Sequence, residues 1–142
     1  MYKLRAESSF DSAHFLSGYD GKCKNIHGHR WRVIVEIQGS SLIDAGSERG
    51  MLLDFGELKK ALKEETEYFD HALIYESESL RKETVDALAG EGMRLICVDY
   101  RPTAENIAQY FYQKLKSEGF SLKEVTVYET PGNCAVYTEE NL

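Results

Sequence analysis

The sequence predicts an α+β fold, a four-stranded antiparallel sheet with two helices gathered on one face. Three observations lead there: strand-like alternation towards both ends of the chain, two segments with apolar residues at helical spacing, and the order in which these runs follow one another.

Residues 2–10 read as a first strand. Over 31–38, Trp31, Val33, Val35 and Ile37 fall on one face and Arg32, Ile34, Glu36 and Gln38 on the other, which makes a second. From Asp54 to about Tyr68, Phe55, Leu58, Leu62 and Phe69 recur at helical spacing between lysines and glutamates, with Asp54 placed as N-cap. Residues 76–92 read as irregular or briefly helical, followed by a short strand at 93–98. After Pro102, Thr103 can cap a second helix that runs through Ile107, Tyr110, Phe111 and Leu115 and stops at Gly119. Strands at 123–129 and 134–138, joined by Pro131-Gly132-Asn133, close the chain as a hairpin. A sheet with two open edges invites pairing with neighbours, which points to an oligomer.

With 142 residues, 42% of them hydrophobic and 29% charged, residues 1–142 are expected to form one domain. A chain of this size buries roughly 70% of its unfolded surface, so neither disulfides nor a structural metal are required. The net charge of −7 opposes a nucleic-acid backbone. Lys22, Lys24, Arg30 and Arg32 form a local basic cluster that suits a small anion or, equally, a solvated edge. The N-terminal residues lack a secretory apolar run, and no stretch nears the roughly 20 apolar residues of a membrane span, so a cytoplasmic location is expected. Cys23, Cys97 and Cys134 are widely spaced and odd in number, as reduced thiols are; Cys97 reads as a small buried hydrophobe and Cys134 as packed in its strand.

Of the four histidines, His14, His27 and His29 lie at the ends of predicted strands. On an extended backbone His27 and His29 point to the same side, and Gly28 between them leaves the opposite face uncrowded; His14 can join them across a hairpin. Three imidazoles and one vacant position make a catalytic zinc site, although imidazole also suits copper, iron or nickel, and the alternative is histidines of the core or surface. Cys23 sits in a polar, basic stretch where lysines and a metal would raise its thiolate fraction, as a base or nucleophile needs; a fourth metal ligand or an idle loop thiol are the other readings. Asp70 beside His71 can form an acid–base unit, if the two side chains face each other. Glu129 stands where a strand enters a turn, ordinarily a solvent-facing place.

Phe10-Asp11-Ser12-Ala13-His14, then Cys23 with three residues before His27-Gly28-His29, then Gly50 to Lys59, Asp70-His71, Pro102 to Asn106, and Glu129-Thr130 occur in that order. Together they resemble the 6-pyruvoyltetrahydropterin synthase / 6-carboxytetrahydropterin synthase family over nearly the whole chain. The resemblance implies a zinc-dependent lyase in which His14, His27 and His29 hold Zn2+, Cys23, Asp70 and His71 move protons, and Glu129 grips a pterin ring in a pocket that Thr103 and Glu105 also line. It further implies 7,8-dihydroneopterin triphosphate as substrate and the tunnelling fold, in which sheets join into a barrel around a threefold axis, commonly as a homohexamer with active sites between subunits.

The Cys-x3-His-Gly-His spacing is similar to the 6-carboxy branch of queuosine and deazapurine biosynthesis, which releases triphosphate and acetaldehyde. The pyruvoyl branch has a longer gap, and the folate-related branch carries Glu at the position of Cys23. An insertion around 76–98 departs from the shortest members of the family, and there is no P-loop. The 6-pyruvoyl reaction is the enzymatic alternative. A metal-binding oligomer without activity is the non-enzymatic one, which would need none of Cys23, Asp70, His71 and Glu129.

Overall fold

The structure is a computed structural model and describes residues 1–139; positions 140–142, the end of the expected domain, lie outside the described residues. Along the chain run β1 (Tyr2–His14), β2 (His27–Gly39), α1 (Phe55–Phe69), β3 (Ala72–Glu76), α2 (Lys82–Gly90), β4 (Leu95–Val98), α3 (Ala104–Ser117), β5 (Leu122–Thr130) and β6 (Asn133–Tyr137). The class is α+β, but the sheet has six strands in the order β4-β3-β1-β2-β5-β6, not four. It is also mixed, because β3 pairs parallel with both β1 and β4. Parallel neighbours need a crossover, and α2 supplies the one between β3 and β4. The short apolar run at Ala72–Tyr75 follows α1 so closely that periodicity alone does not separate it from a helix end.

The two expected helices form where their caps place them. Asp54 accepts a hydrogen bond from Gly56 N at 2.8 Å, and Thr103 accepts one from Asn106 N at 3.2 Å, each satisfying a backbone donor that the first helical turn leaves unpaired. Leu58, Leu62 and Phe69 from α1 and Ile107, Phe111 and Leu115 from α3 are fully buried against Phe10, Trp31, Val33, Val35, Val125 and Val127 of the sheet. Each such side chain contributes about 1.5–3 kcal/mol through burial. Phe55, expected on the same stripe, is half exposed instead, since it lies in the first turn beside Tyr2 and Met51 at the rim.

β1 and β2 pair over their full length, from Tyr2 opposite Gly39 to His14 opposite His27. Because alternate residues of β2 from Trp31 to Ile37 must face the core, the register is fixed, and it brings the histidine-bearing ends together. Cys97 and Cys134 are exposed, contrary to expectation: they lie on the edge strands β4 and β6, and in β4 the neighbours Ile96 and Val98 take the inward positions. Cys23 is half-buried, within the short 3-10 turn Lys22–Lys24; all three thiols are free.

Candidate active site

His14 ends β1 and is completely buried, while His27 and His29 open β2. His14 Nδ1 lies 2.7 Å from the carbonyl oxygen of Pro102, and His27 Nδ1 lies 2.7 Å from that of Asn25. A carbonyl only accepts, so each Nδ1 carries the proton and each Nε2 keeps a bare lone pair. Those two Nε2 atoms are 3.1 Å apart. Lone pair facing lone pair is repulsive unless a cation lies between. His29 Nε2 is buried without a hydrogen-bond partner, its nearest carboxylate oxygen being Glu129 Oε1 at 3.4 Å.

One ligand atom from each of the three rings lies within 4.8 Å of the others. Trp31 packs edge-on against His14 and His29, with ring centroids 4.8 and 5.4 Å away, and fixes their orientation. Burial drives the His14 pKa down to about 4, against the opposing pull of the Pro102 carbonyl. Burial lowers that of His29 too, opposed by Glu129. Neutral imidazoles with converging lone pairs, oriented by carbonyls from behind, fit a borderline divalent ion such as zinc. Among the described residues, the group able to hold a metal consists of these three histidines, and Cys23 stands outside it. A methyl group at Gly28 would meet only Ser12 O at 3.8 Å, so packing within the chain does not demand glycine there.

Glu129 is partly exposed and faces two clefts. It shares one of about 380 Å³ with His29, Arg32 and Tyr128, and another of about 480 Å³ with Ala104, Glu105 and Cys134. Its carboxylate therefore stands between the histidine cluster and a space fit for a small molecule. Thr103 precedes Ala104 in the chain but is not among the residues that line the second cleft, and its hydroxyl is engaged in capping α3.

Asp70 and His71 do face each other, Oδ2 to Nδ1 at 2.8 Å, because His71 takes a left-handed conformation with φ 54°. The strained turn is held from β1: Asp11 N donates to Asp70 Oδ1 at 2.8 Å, and His71 N donates to Asp11 O at 2.6 Å. The Asp11 amide, then His71, holds the Asp70 carboxyl below its usual range. With Nδ1 occupied, His71 offers Nε2 for proton transfer, on a ring that is 78% exposed. The ring lines a broad apolar cleft of about 720 Å³ with Gly28, Leu88 and Met93, to which Cys23 does not contribute.

Sequence reasoning missed the orienting carbonyls of Asn25 and Pro102, since any residue type supplies a carbonyl. It also missed Arg94, whose Nη1 donates to Asp70 O at 2.9 Å and whose Nη2 donates to Tyr68 O.

An α+β protein with a histidine cluster suited to a metal, a carboxylate beside it and a separate carboxylate–imidazole pair has the groups that metal binding and proton transfer require. The chain belongs to the 6-pyruvoyl tetrahydropterin synthase family, whose pattern it matches over residues 3–140. It is 37% identical over 142 residues to a 6-carboxy-5,6,7,8-tetrahydropterin synthase of Haemophilus influenzae, covering 98% of this chain and all of the relative. A protein of the same name from Synechocystis is 33% identical over 144 residues, covering all of this chain and 97% of the relative. Among solved structures, the 6-pyruvoyl tetrahydropterin synthase of Caenorhabditis elegans is similar with a TM-score of 0.68 and 28% identity, over 98% of this chain and 96% of that one. An uncharacterized protein of Wolinella succinogenes shares the fold with a TM-score of 0.79 at 21% identity, over 98% of both chains.

Proposed function

We propose that the protein is a 6-carboxy-5,6,7,8-tetrahydropterin synthase: a cytoplasmic, zinc-dependent lyase that converts 7,8-dihydroneopterin triphosphate, with uptake of water, to 6-carboxytetrahydropterin, acetaldehyde and triphosphate. The observation that carries this reading is the convergence of the bare Nε2 atoms of His14 and His27 with the unpartnered Nε2 of His29, beside Glu129. The names of the bacterial relatives and the Cys-x3-His-Gly-His spacing support the branch.

Zinc held by His14, His27 and His29 would act as a Lewis acid towards the substrate's side-chain hydroxyls. Glu129 accepts hydrogen bonds from the ring N–H and exocyclic amino group of the pterin together, with Glu105 lining the same space and Thr103 preceding it at the N-cap of α3. The Cys23 thiolate removes a side-chain proton; His71 takes and returns another through Nε2, with Asp70 stabilising the imidazolium from behind. Since Cys23 is not among the described residues that line the cleft beside His71, the dyad of one subunit serves a thiol of its neighbour in a trimer-based homohexamer. Incubation with dihydroneopterin triphosphate followed by mass analysis tests the reading: 6-carboxytetrahydropterin and acetaldehyde are expected. A 6-pyruvoyl product without acetaldehyde would assign the chain to the other reaction, which the likeness to the Caenorhabditis elegans structure favours. No turnover by the zinc-loaded protein would leave the metal-binding oligomer.

A further inference from the structure

The segment between β3 and β4 supplies none of the proton-moving groups named above, yet it lines the cleft beside His71 and ends against the Asp70–His71 pair. Its last strand, β4, lies at the sheet edge beside β3, so that Arg94, immediately before β4, meets the end of α1. One arm of the guanidinium donates to Asp70 O at 2.9 Å and the other to Tyr68 O, while the Arg94 carbonyl accepts from Leu73 N at 3.0 Å. One residue thus ties down the main chain on both sides of His71.

These contacts bear on a conformation that does not hold itself. A non-glycine residue at φ 54° is strained and persists only where its surroundings over-determine it. On the β1 side the constraint is the exchange with Asp11, and from β1 as well Ser12 Oγ donates to Phe69 O. On the other side it is Arg94, whose positive charge also sits at the carbonyl end of α1, where a helix favours a cation. The planar fork reaches two carbonyls at once, which a lysine ammonium does not reproduce.

We infer that Arg94, at the entry to β4, is a positioning residue that holds Asp70 against His71 and thereby fixes the tautomer and aim of the His71 ring. Arg94 lines the cleft beside His71, and the role inferred for it is exerted through the dyad, so this inference rests on the proton-transfer role proposed for His71. It gives the edge strand β4 a part in the site, since the residue that leads into it brings to the dyad a second constraint independent of β1.

The test combines Arg94→Ala, Arg94→Lys and His71→Ala in the zinc-loaded protein. Arg94→Ala is expected to lower kcat by about 10- to 100-fold, the scale of a misplaced catalytic group, with KM and zinc content unchanged. Arg94→Lys, which can hold one carbonyl, is expected to recover part of that loss. In the His71→Ala background Arg94→Ala should cost nothing further, because its effect has no other route. Imidazole 15N shifts of His71 should report Nδ1 protonated in the wild type and a mixture of tautomers in the Arg94 variants. If Arg94→Ala does not fold, Arg94→Lys carries both the rate and the tautomer readings. Wild-type kcat in the Arg94 variants, or a loss that multiplies with that of His71→Ala, would overturn the inference while leaving the dyad in place. A wild-type rate in His71→Ala would overturn the proton-transfer role itself and the inference with it.

Discussion

His14 and His27 each spend Nδ1–H on a main-chain carbonyl, which leaves the ligating nitrogen no choice of direction. Replacing His27 or His29 by Ala should therefore remove the metal, as elemental analysis would read, whereas close to one zinc per chain is expected in the wild type; full occupancy in both variants would contradict the assignment. Cys23 lies outside the cluster, so Cys23→Ala should keep its zinc and bind substrate almost normally while turnover falls by roughly 10²-fold or more. Loss of metal from that variant, or an undiminished rate, would remove the thiol from its role. Asp70 sets a third test. Its carboxyl titrates below the ordinary value of about 3.9, so its charged form contributes stability above that pH, and the contribution is lost as pH falls through the folded-state value. Asp70→Asn should be less stable than the wild type at neutral pH and should lose less on acidification to about pH 3, read by urea unfolding. An equally steep acid limb in the variant would mean that other carboxyls set it.

At the scale of elements, capping and alternation made most of the fold legible. Asp54 and Thr103 were expected as N-caps and serve as such, and the buried face of β2 is the one that its alternation marked. Asp54→Ala should cost about 1 kcal/mol in denaturant unfolding, the usual loss for an N-cap; an unchanged midpoint would show that water replaces the cap without penalty. What escaped was non-local. β3 is five residues long and β4 four, and their parallel pairing with β1 and with each other connects segments whose sequences carry no mark of one another. The histidine cluster was legible because two of its members are two apart on one strand and the third is carried by the partner strand. The Arg94 contact was not, since its acceptors are carbonyls at the end of a helix 24 and 26 residues earlier in the chain.

For the whole molecule, the sheet decides what remains to be covered. Its edges, β4 and β6, present unpaired backbone groups, and neither strand exceeds five residues, so each is a short ledge onto which another sheet can add. Tyr2, Met51 and Phe55 are exposed together at the rim around the start of α1, an apolar cluster that a neighbouring chain would remove from water. The reaction proposed above would gain from the same closure. In the role proposed for it, the His71 ring, 78% exposed, would compete with bulk water, and a neighbour covering the 720 Å³ cleft beside it would exclude that water. Mass and activity should therefore be linked: light scattering is expected to give a trimer or hexamer at micromolar concentration, and specific activity should fall on dilution in step with dissociation. A stable monomer with full specific activity would rule out both the joined sheets and a site shared between subunits, and would require Cys23 and His71 to meet within one chain.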